Sequence, residues 1–229
     1  MKAVLLMAGK GTRWAKDFSG PKQLTPLVGK PILEHTLDAI PASVDSFIFV
    51  VGGPHEQTIR DYFSSGEYKG RKVDFVVQEE QLGLAHAFKV AKDFIDGDWL
   101  GMIADDIISP KGLEALAAAD GPAILGYKVS NPESFGVLVT DDDSNLVRAV
   151  EKPKEFISDL VWTGHMRMPK EFMTIDVEPS DRGEYETPDV WMKLIQEQNL
   201  AIKVIETDFW LPINDKAQFE AAEEALKSL

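Results

Sequence analysis

Residues 8–13 read Ala-Gly-Lys-Gly-Thr-Arg, and nine residues past Arg13 stands Lys22, in Pro21-Lys22-Gln23. Glycines let a backbone take positive φ and approach a ligand closely. Successive free N–H groups in such a loop form a concave anion site. Two cations, Lys10 and Arg13, lie in it. Arg13 offers a bidentate fork and Lys22 a point charge to phosphate oxygens. The chemistry expected is a polyphosphate cradle. The pattern is not the dinucleotide fingerprint, because the third glycine is missing, and not the Walker loop, because Gly-Lys-Ser/Thr is absent. Gly-x-Gly alone also suits a plain surface turn.

Further groups have fitting types. Gln78 carries both a donor and an acceptor, which suits a base edge. Gly83 lets the backbone come near a flat ring, although the stretch also suits a helix start with a glycine bend. Asp105 and Asp106 follow the apolar run Trp99–Ala104. A carboxylate at the end of a buried strand is placed to bind a metal that bridges phosphates. Asp106 or Ser109 could instead cap the helix opening at Pro110. The four histidines make no His-x-x-His or Ser/His/Asp pattern and receive no catalytic role. Asp141-Asp142-Asp143 reads as a solvated turn.

These groups must be held by a scaffold. Ala3–Met7 is an apolar run that looks like a buried strand, so the loop lies at a strand's carboxyl end, where α/β sheets bind ligands. Pro31 opens a helix to Ile40, with Ile32, Leu33, Thr36, Leu37 and Ile40 inward. Strands follow at 46–51, 73–77 and 99–104, with helices at 55–63, 82–94 and 110–119. That alternation predicts a Rossmann-like, doubly wound, mainly parallel α/β sheet flanked by helices. Beyond a strand at 123–129 the rhythm changes. Residues 135–140 and 146–150 form a hairpin, 160–168 is strand-like, and Pro169 starts a short helix. Thr187-Pro188 caps a helix to Gln198, and 201–205 is a strand. The last helix, 215–228, turns Ala217, Phe219, Ala222 and Leu226 inward. One domain over 1–229 is expected, with a first half at 1–129 and a small β-rich lobe within 130–229.

The chain has 229 residues, 44% hydrophobic and 27% charged, enough for one substantial globular domain. With no cysteine, disulfides and thiolate metal sites are excluded. Acids outnumber bases 38 to 24, a formal charge of −14 that disfavours nucleic acid or anionic membranes as partners. A local cluster of Arg13, Lys22 and a metal cation still permits a nucleotide. The first apolar run is too short for a signal peptide, and none reaches the roughly 20 residues of a membrane span. The expected location is cytoplasmic. Composition leaves the oligomeric state open, homo-oligomers included.

Leu6 to Arg13, then Pro21-Lys22-Gln23-Leu24-Thr25-Pro26, then Gly29-Lys30-Pro31 resemble the sugar-1-phosphate nucleotidylyltransferases, whose opening pattern is L-A-x-G-x-G-T-R, P-K-x-x-x-P and G-K-P. The likeness continues in order. Gln78 to Ala87 is similar to Q-x-x-x-x-G-T-A-x-A, with Leu84 in place of Thr. Asp105 falls on the Asp of a G-D motif, with Ala104 in place of Gly. Phe135-Gly136-Val137 resembles Y-G-V, Glu151-Lys152-Pro153 matches E-K-P, and Thr163-Gly164-His165 resembles a later glycine turn. Gly183 to Thr187 resembles G-E-Y-E-L-T, one residue shorter.

The resemblance implies transfer of a nucleotidyl group from an NTP to a sugar 1-phosphate, with pyrophosphate released and Mg2+ as cofactor. It implies nucleotide contacts from Leu6, Ala8, Gly9, Gly11, Thr12, Gln78 and Gly83. It implies catalytic charge from Arg13, Lys22, Asp105 and Lys152, and sugar contacts from Gly136, Glu151 and Gly164. The metal would rest on Asp105 and on Asn214, Asp215 or Asp208, with Asn214 preferred, although Asn214 also suits a helix cap. The alternatives are a cytidylyltransferase acting on methylerythritol phosphate, a molybdenum-cofactor guanylyltransferase, or a silent nucleotide-sugar-binding subunit.

Overall fold

The computed structural model describes residues 1–9 and 11–228; Lys10, named above as a loop cation, and Leu229 lie outside the described residues. The principal strands are β1 (Lys2–Leu6), β2 (Ser46–Val51), β3 (Arg71–Val77), β4 (Trp99–Ile103), β5 (Ala123–Lys128), β6 (Gly136–Thr140), β7 (Leu146–Glu151), β8 (Leu160–Met168) and β9 (Lys203–Glu206). The α-helices are α1 (Ile32–Ala39), α2 (Glu56–Tyr62), α3 (Leu84–Lys89), α4 (Pro110–Ala117), α5 (Thr187–Gln198) and α6 (Lys216–Lys227). Across the sheet the order is β7-β6-β8-β4-β1-β2-β3, and β5 pairs with both β8 and β9. β1 runs parallel to β2 and β4, and β2 parallel to β3. β8 is antiparallel to β4, β5 and β6. The sheet is mixed but mostly parallel in its first half, as expected.

The chain leaves β1 toward β2 and β3 on one side, then returns to β4 on the other. The carboxyl ends of β1 and β4 flank that reversal, where a doubly wound sheet leaves a crevice. In the register Leu6 pairs with Ile103, so the glycine loop and Asp105 emerge side by side.

β1 is apolar from Ala3 to Leu6 because both its faces are covered there. Ala3 and Leu5 pack with Leu33 and Leu37 of α1, Ile59 of α2 and Leu113 of α4. Val4 and Leu6 pack with Ala85 and Phe88 of α3 and Trp191 of α5. A third cluster joins Trp14, Leu27, Ile32, Ile213 and Ala222, and so ties the glycine loop to α6. There Trp14 stacks on Phe18 with centroids 4.0 Å apart, and Phe219 meets Trp14 edge-on at 5.7 Å.

β8 is the longest strand, and its register shifts between Trp162 and Met166. Gly164 sits in that irregularity with φ of +90°, and a Cβ there would lie 2.2 Å from Ile103 Cγ1. Only glycine fits both the backbone and the space. Gly164→Ala is expected to destabilise the fold by about 3 kcal/mol, from overpacking plus a strained φ. The urea unfolding midpoint measures this, and an unchanged midpoint would contradict it.

Several element boundaries differ from expectation. The helix expected over 82–94 is shortened to Leu84–Lys89, and a 3-10 turn follows at Lys92–Phe94. Pro31 is not the first helical residue. It belongs to the two-residue strand Lys30–Pro31, paired with Pro26–Leu27, and α1 starts after it. Thr187 opens α5 and is not its cap, and Glu186 at that position makes no capping bond. Ala217 is exposed; α6 buries Ala222 and half-buries Phe219 and Leu226. This helix packs one narrow stripe on the third cluster, and Ala217 falls outside it.

Candidate active site

Past β1, residues Gly9, Gly11, Thr12 and Arg13 line a cavity together with Lys22, Asp105 and Asn214. The loop is rooted on one side by the Met7 N–H, which donates to the Val50 carbonyl at 2.8 Å, and on the other by Trp14, 2% exposed. Gly11 has φ of +60° and open space where a Cβ would stand. Its role is conformational, not one of tight packing. Arg13 is exposed, and among the described residues its guanidinium takes part in no hydrogen bond or ion pair. It is free for an anionic ligand.

Asp105 and Lys22 form an ion pair, Nζ to Oδ2 at 2.8 Å, and Lys22 Nζ also donates to the Ile213 carbonyl. Asp106 is 3% exposed and does structural work instead. Its Oδ1 accepts from the Ile213 N–H at 3.0 Å and its Oδ2 from the Trp210 indole at 3.1 Å. Burial, then the neighbouring Asp105, pushes its carboxyl up to about 6. Asp106 and Lys22 together fasten the 210–213 segment, and with it Asn214, beside Asp105.

The three candidates for a second metal ligand separate. Asp215 caps α6, accepting from the Gln218 N–H at 2.9 Å. Asp208 is exposed and lies on none of the three cavities, and the neighbouring Ser109 hydroxyl holds its carboxyl below the usual range. Asn214 uses its main-chain N–H, which donates to Gln218 at 2.7 Å, and the residue lines the loop cavity. Ser109 caps α4, with Oγ accepting from the Gly112 N–H at 3.3 Å.

A second cavity is lined by Leu6, Ala8, Gln78, Gln81, Gly83 and Leu84, with Gly9 and Asp105 at its junction with the first. Gly83 has φ of +101°, and a Cβ there would lie 2.7 Å from the Tyr185 carbonyl. Close packing against residue 185 explains this glycine without any ligand.

A third cavity, about 440 Å³, is lined by Phe135, Gly136, Glu151, Lys152, Trp162 and Gly164, and shares Arg13, Asp105 and Asn214 with the first. That volume is in the range of small-molecule sites. The β6–β7 pairing sets Gly136 opposite Glu151, and a Cβ on Gly136 would come 3.0 Å from Glu151 Oε2. Lys152 holds a left-handed φ of +45°, uncommon outside glycine and a feature that gathers at functional sites. Its N–H donates to the Phe135 carbonyl at 3.0 Å, and its Nζ lies 3.1 Å from Glu151 Oε1. Arg182 approaches the same oxygen at 3.6 Å.

Of the site residues named from sequence, Gly9, Gly11, Thr12, Arg13, Lys22, Asp105 and Asn214 line the loop cavity, Leu6, Ala8, Gln78 and Gly83 the second, and Gly136, Glu151, Lys152 and Gly164 the third. His55, on the turn after β2, lines the loop cavity with Gln23. Gln81, His86 and Arg182 also join the site region. Gln81 lies three residues past Gln78, and His86 is inside the same motif, so spacing could have flagged both. His55 and Arg182 reach the site by tertiary folding and carry no local signal.

His165, next to Gly164, is fully buried. Its Nδ1 donates to the Thr163 carbonyl at 3.0 Å, and its Nε2 has no partner among the described residues. Burial pushes the imidazole down to about 4. The unfolded chain, with a histidine near its ordinary value, then binds a proton that the native state does not. Stability is full above about pH 6.5 and falls by about 3 kcal/mol as pH drops toward 4. Urea unfolding at pH 7 and 4.5 should show a steeper acid loss for the native chain than for His165→Gln. Equal losses would contradict it.

A doubly wound α/β sheet with a glycine-lined cavity at its strand reversal, joined to two further cavities, is a framework suited to binding nucleotides. The chain belongs to the nucleotidyl transferase family, whose family model matches residues 2–228. It is 38% identical over 209 residues to the bifunctional protein GlmU of Methanococcus vannielii, covering 87% of this chain and 49% of that protein. The chain therefore spans about half the length of the GlmU relatives it matches. It is 35% identical over 239 residues to the UTP--glucose-1-phosphate uridylyltransferase AglF of Haloferax volcanii, covering 99% of this chain and 97% of that protein. The solved structure of UDP-glucose pyrophosphorylase complexed with UDP-glucose shares the fold, with TM-score 0.84, 19% identity, and 99% and 98% of the two chains covered. Among the described residues no helix is long and apolar enough to cross a membrane.

Proposed function

We propose that the chain transfers a nucleotidyl group from an NTP to a sugar 1-phosphate, giving an NDP-sugar and pyrophosphate. The observation that carries this is Asp105, which lies on the walls of all three cavities. Triphosphate, base and sugar phosphate would meet there. The name of AglF, alike across 99% of this chain, supports the same chemistry.

In this reading a phosphate oxygen of the sugar 1-phosphate attacks the α-phosphorus in line. The new P–O bond forms as the bond to pyrophosphate breaks, and the electron pair leaves with pyrophosphate. The nucleophile is already an anion, so no general base is needed. Catalysis is positioning and charge neutralisation. Arg13 neutralises the departing pyrophosphate and Lys22 the α-phosphate. Lys152 steers the second anion in, while Glu151 accepts from sugar hydroxyls beside Gly136 and Gly164.

The Asp105 carboxylate and the Asn214 amide oxygen are hard oxygen donors on a shared wall, which fits Mg2+ completed by phosphate oxygens and water. Bound there, Mg2+ would supply charge neutralisation at the α-phosphate.

The test is pyrophosphate release with Mg2+, crossing UTP, dTTP, GTP, CTP and ATP against a panel of sugar 1-phosphates, with methylerythritol phosphate included. Release is expected to require one NTP and one sugar 1-phosphate together. Release only with CTP and methylerythritol phosphate would replace this function with the cytidylyl one. Nucleotide binding with no release from any pair would make the chain a silent subunit.

A further inference from the structure

We propose that His86 is a positioning residue that locks the Gln78 carboxamide with its oxygen toward the base cavity. The site then selects nucleotides whose base carries a ring N–H (uracil, thymine or guanine) over cytosine and adenine. This rests on the nucleotide-binding reading of that cavity given above.

A carboxamide that turns half a revolution exchanges donor for acceptor, so Gln78 alone is indifferent to the base. Here it is held. Gln78 is 4% exposed, and its Nε2 lies 3.4 Å from the Gly83 carbonyl oxygen and 3.0 Å from His86 Nδ1. A carbonyl oxygen only accepts, so the end beside Gly83 is the NH2 group. That nitrogen also faces His86 as a donor. Nδ1 must then carry the lone pair, and the ring proton sits on Nε2. Both amide hydrogens are engaged, and the amide oxygen is the end left for the cavity that Gln78 lines.

Both acceptors stand on fixed backbone. The Gly83 carbonyl also accepts from the Ala87 N–H at 3.1 Å, and the Ala85 N–H donates to the Tyr185 carbonyl at 3.1 Å. The His86 and Tyr185 rings lie 6.3 Å apart. The Gln78 oxygen, which has no share in the partners of its NH2 end, is the acceptor offered to a ligand, and a ring N–H meets that need. Cytosine N3 and adenine N1 would instead present a lone pair to an oxygen, which is repulsive.

The experiment is calorimetric titration of UTP, dTTP, GTP, CTP and ATP, each with Mg2+, into the full chain and three variants. The native chain should bind at least one of UTP, dTTP and GTP about tenfold or more tighter than CTP and ATP, the scale of one hydrogen bond. His86→Ala and His86→Leu remove the acceptor; leucine also keeps bulk and helix propensity. Both should cut the preference to about threefold or less by letting the amide turn. His86→Asn presents an oxygen near the position of Nδ1 and should retain it. A native preference for CTP or ATP, or an unchanged preference in both His86→Ala and His86→Leu, would overturn the proposal. So would loss of preference in His86→Asn as complete as in His86→Leu. Because no sugar phosphate is present, a base preference without pyrophosphate release in the transfer assay would defeat only the transfer reading. Transfer that runs with CTP or ATP as the preferred substrate would defeat only this one.

Discussion

Asp105→Ala is expected to lower turnover by at least about a hundredfold with the fold intact, on the scale of a lost electrostatic stabiliser. Asp105 follows β4, is half-buried, and makes one ion pair, with Lys22 at 2.8 Å. Its removal opens no core cavity. The tether of the 210–213 segment is anchored by Asp106, which accepts from Ile213 and Trp210. Lys22 keeps its bond to the Ile213 carbonyl. Stability should therefore change little while the place where the three cavities meet loses its carboxylate. Asp105→Asn keeps the shape and should fall nearly as far, which separates charge from sterics. Steady-state pyrophosphate release, read beside the melting temperature, measures both. A folded Asp105→Ala with near-native turnover would remove Asp105 from the chemistry.

Arg13→Ala should also cost at least about a hundredfold in turnover, with stability changed by no more than about 0.5 kcal/mol. The stability half of this follows from exposure and from the lack of a protein partner among the described residues. The activity half follows from position, since Arg13 lines both the loop cavity and the third. Arg13→Lys should recover only part of the rate, because an ammonium cannot grip two phosphate oxygens as a fork. Its neighbour behaves oppositely. Trp14 is 2% exposed and stacked on Phe18, so its removal would loosen the loop and the fold together. A folded Arg13→Ala enzyme with near-native kcat/KM for the NTP would contradict the assignment.

Much of this was legible in the chain itself. The run 3–7, apolar at every position, determined a strand covered on both faces, and the alternation through residue 128 determined a mainly parallel sheet. The glycine loop, Lys22 and Asp105 were readable because each sits immediately beyond a strand or turn, so local spacing carries their meaning. Helix ends were less legible. Propensity extended α3 to Phe94, but the helix ends at Lys89. Inward and outward faces of α6 depended on how narrow a stripe the third cluster offers, which no residue of α6 encodes.

What only the tertiary structure decided were choices among chemically equivalent groups. Asp105 and Asp106 are adjacent and identical in type. The sheet leaves the first at the rim and buries the second under Trp210 and Ile213, more than a hundred residues away in sequence. Asp208, Asn214 and Asp215 are close in sequence, but Asp215 caps α6, Asp208 stands exposed, and Asn214 shares the loop cavity with Asp105. The Gln78 amide had two orientations until Gly83 and His86 left it one. Residue type and spacing encode which groups are available. Which of them stays free for a ligand depends on partners that only folding brings within hydrogen-bond distance.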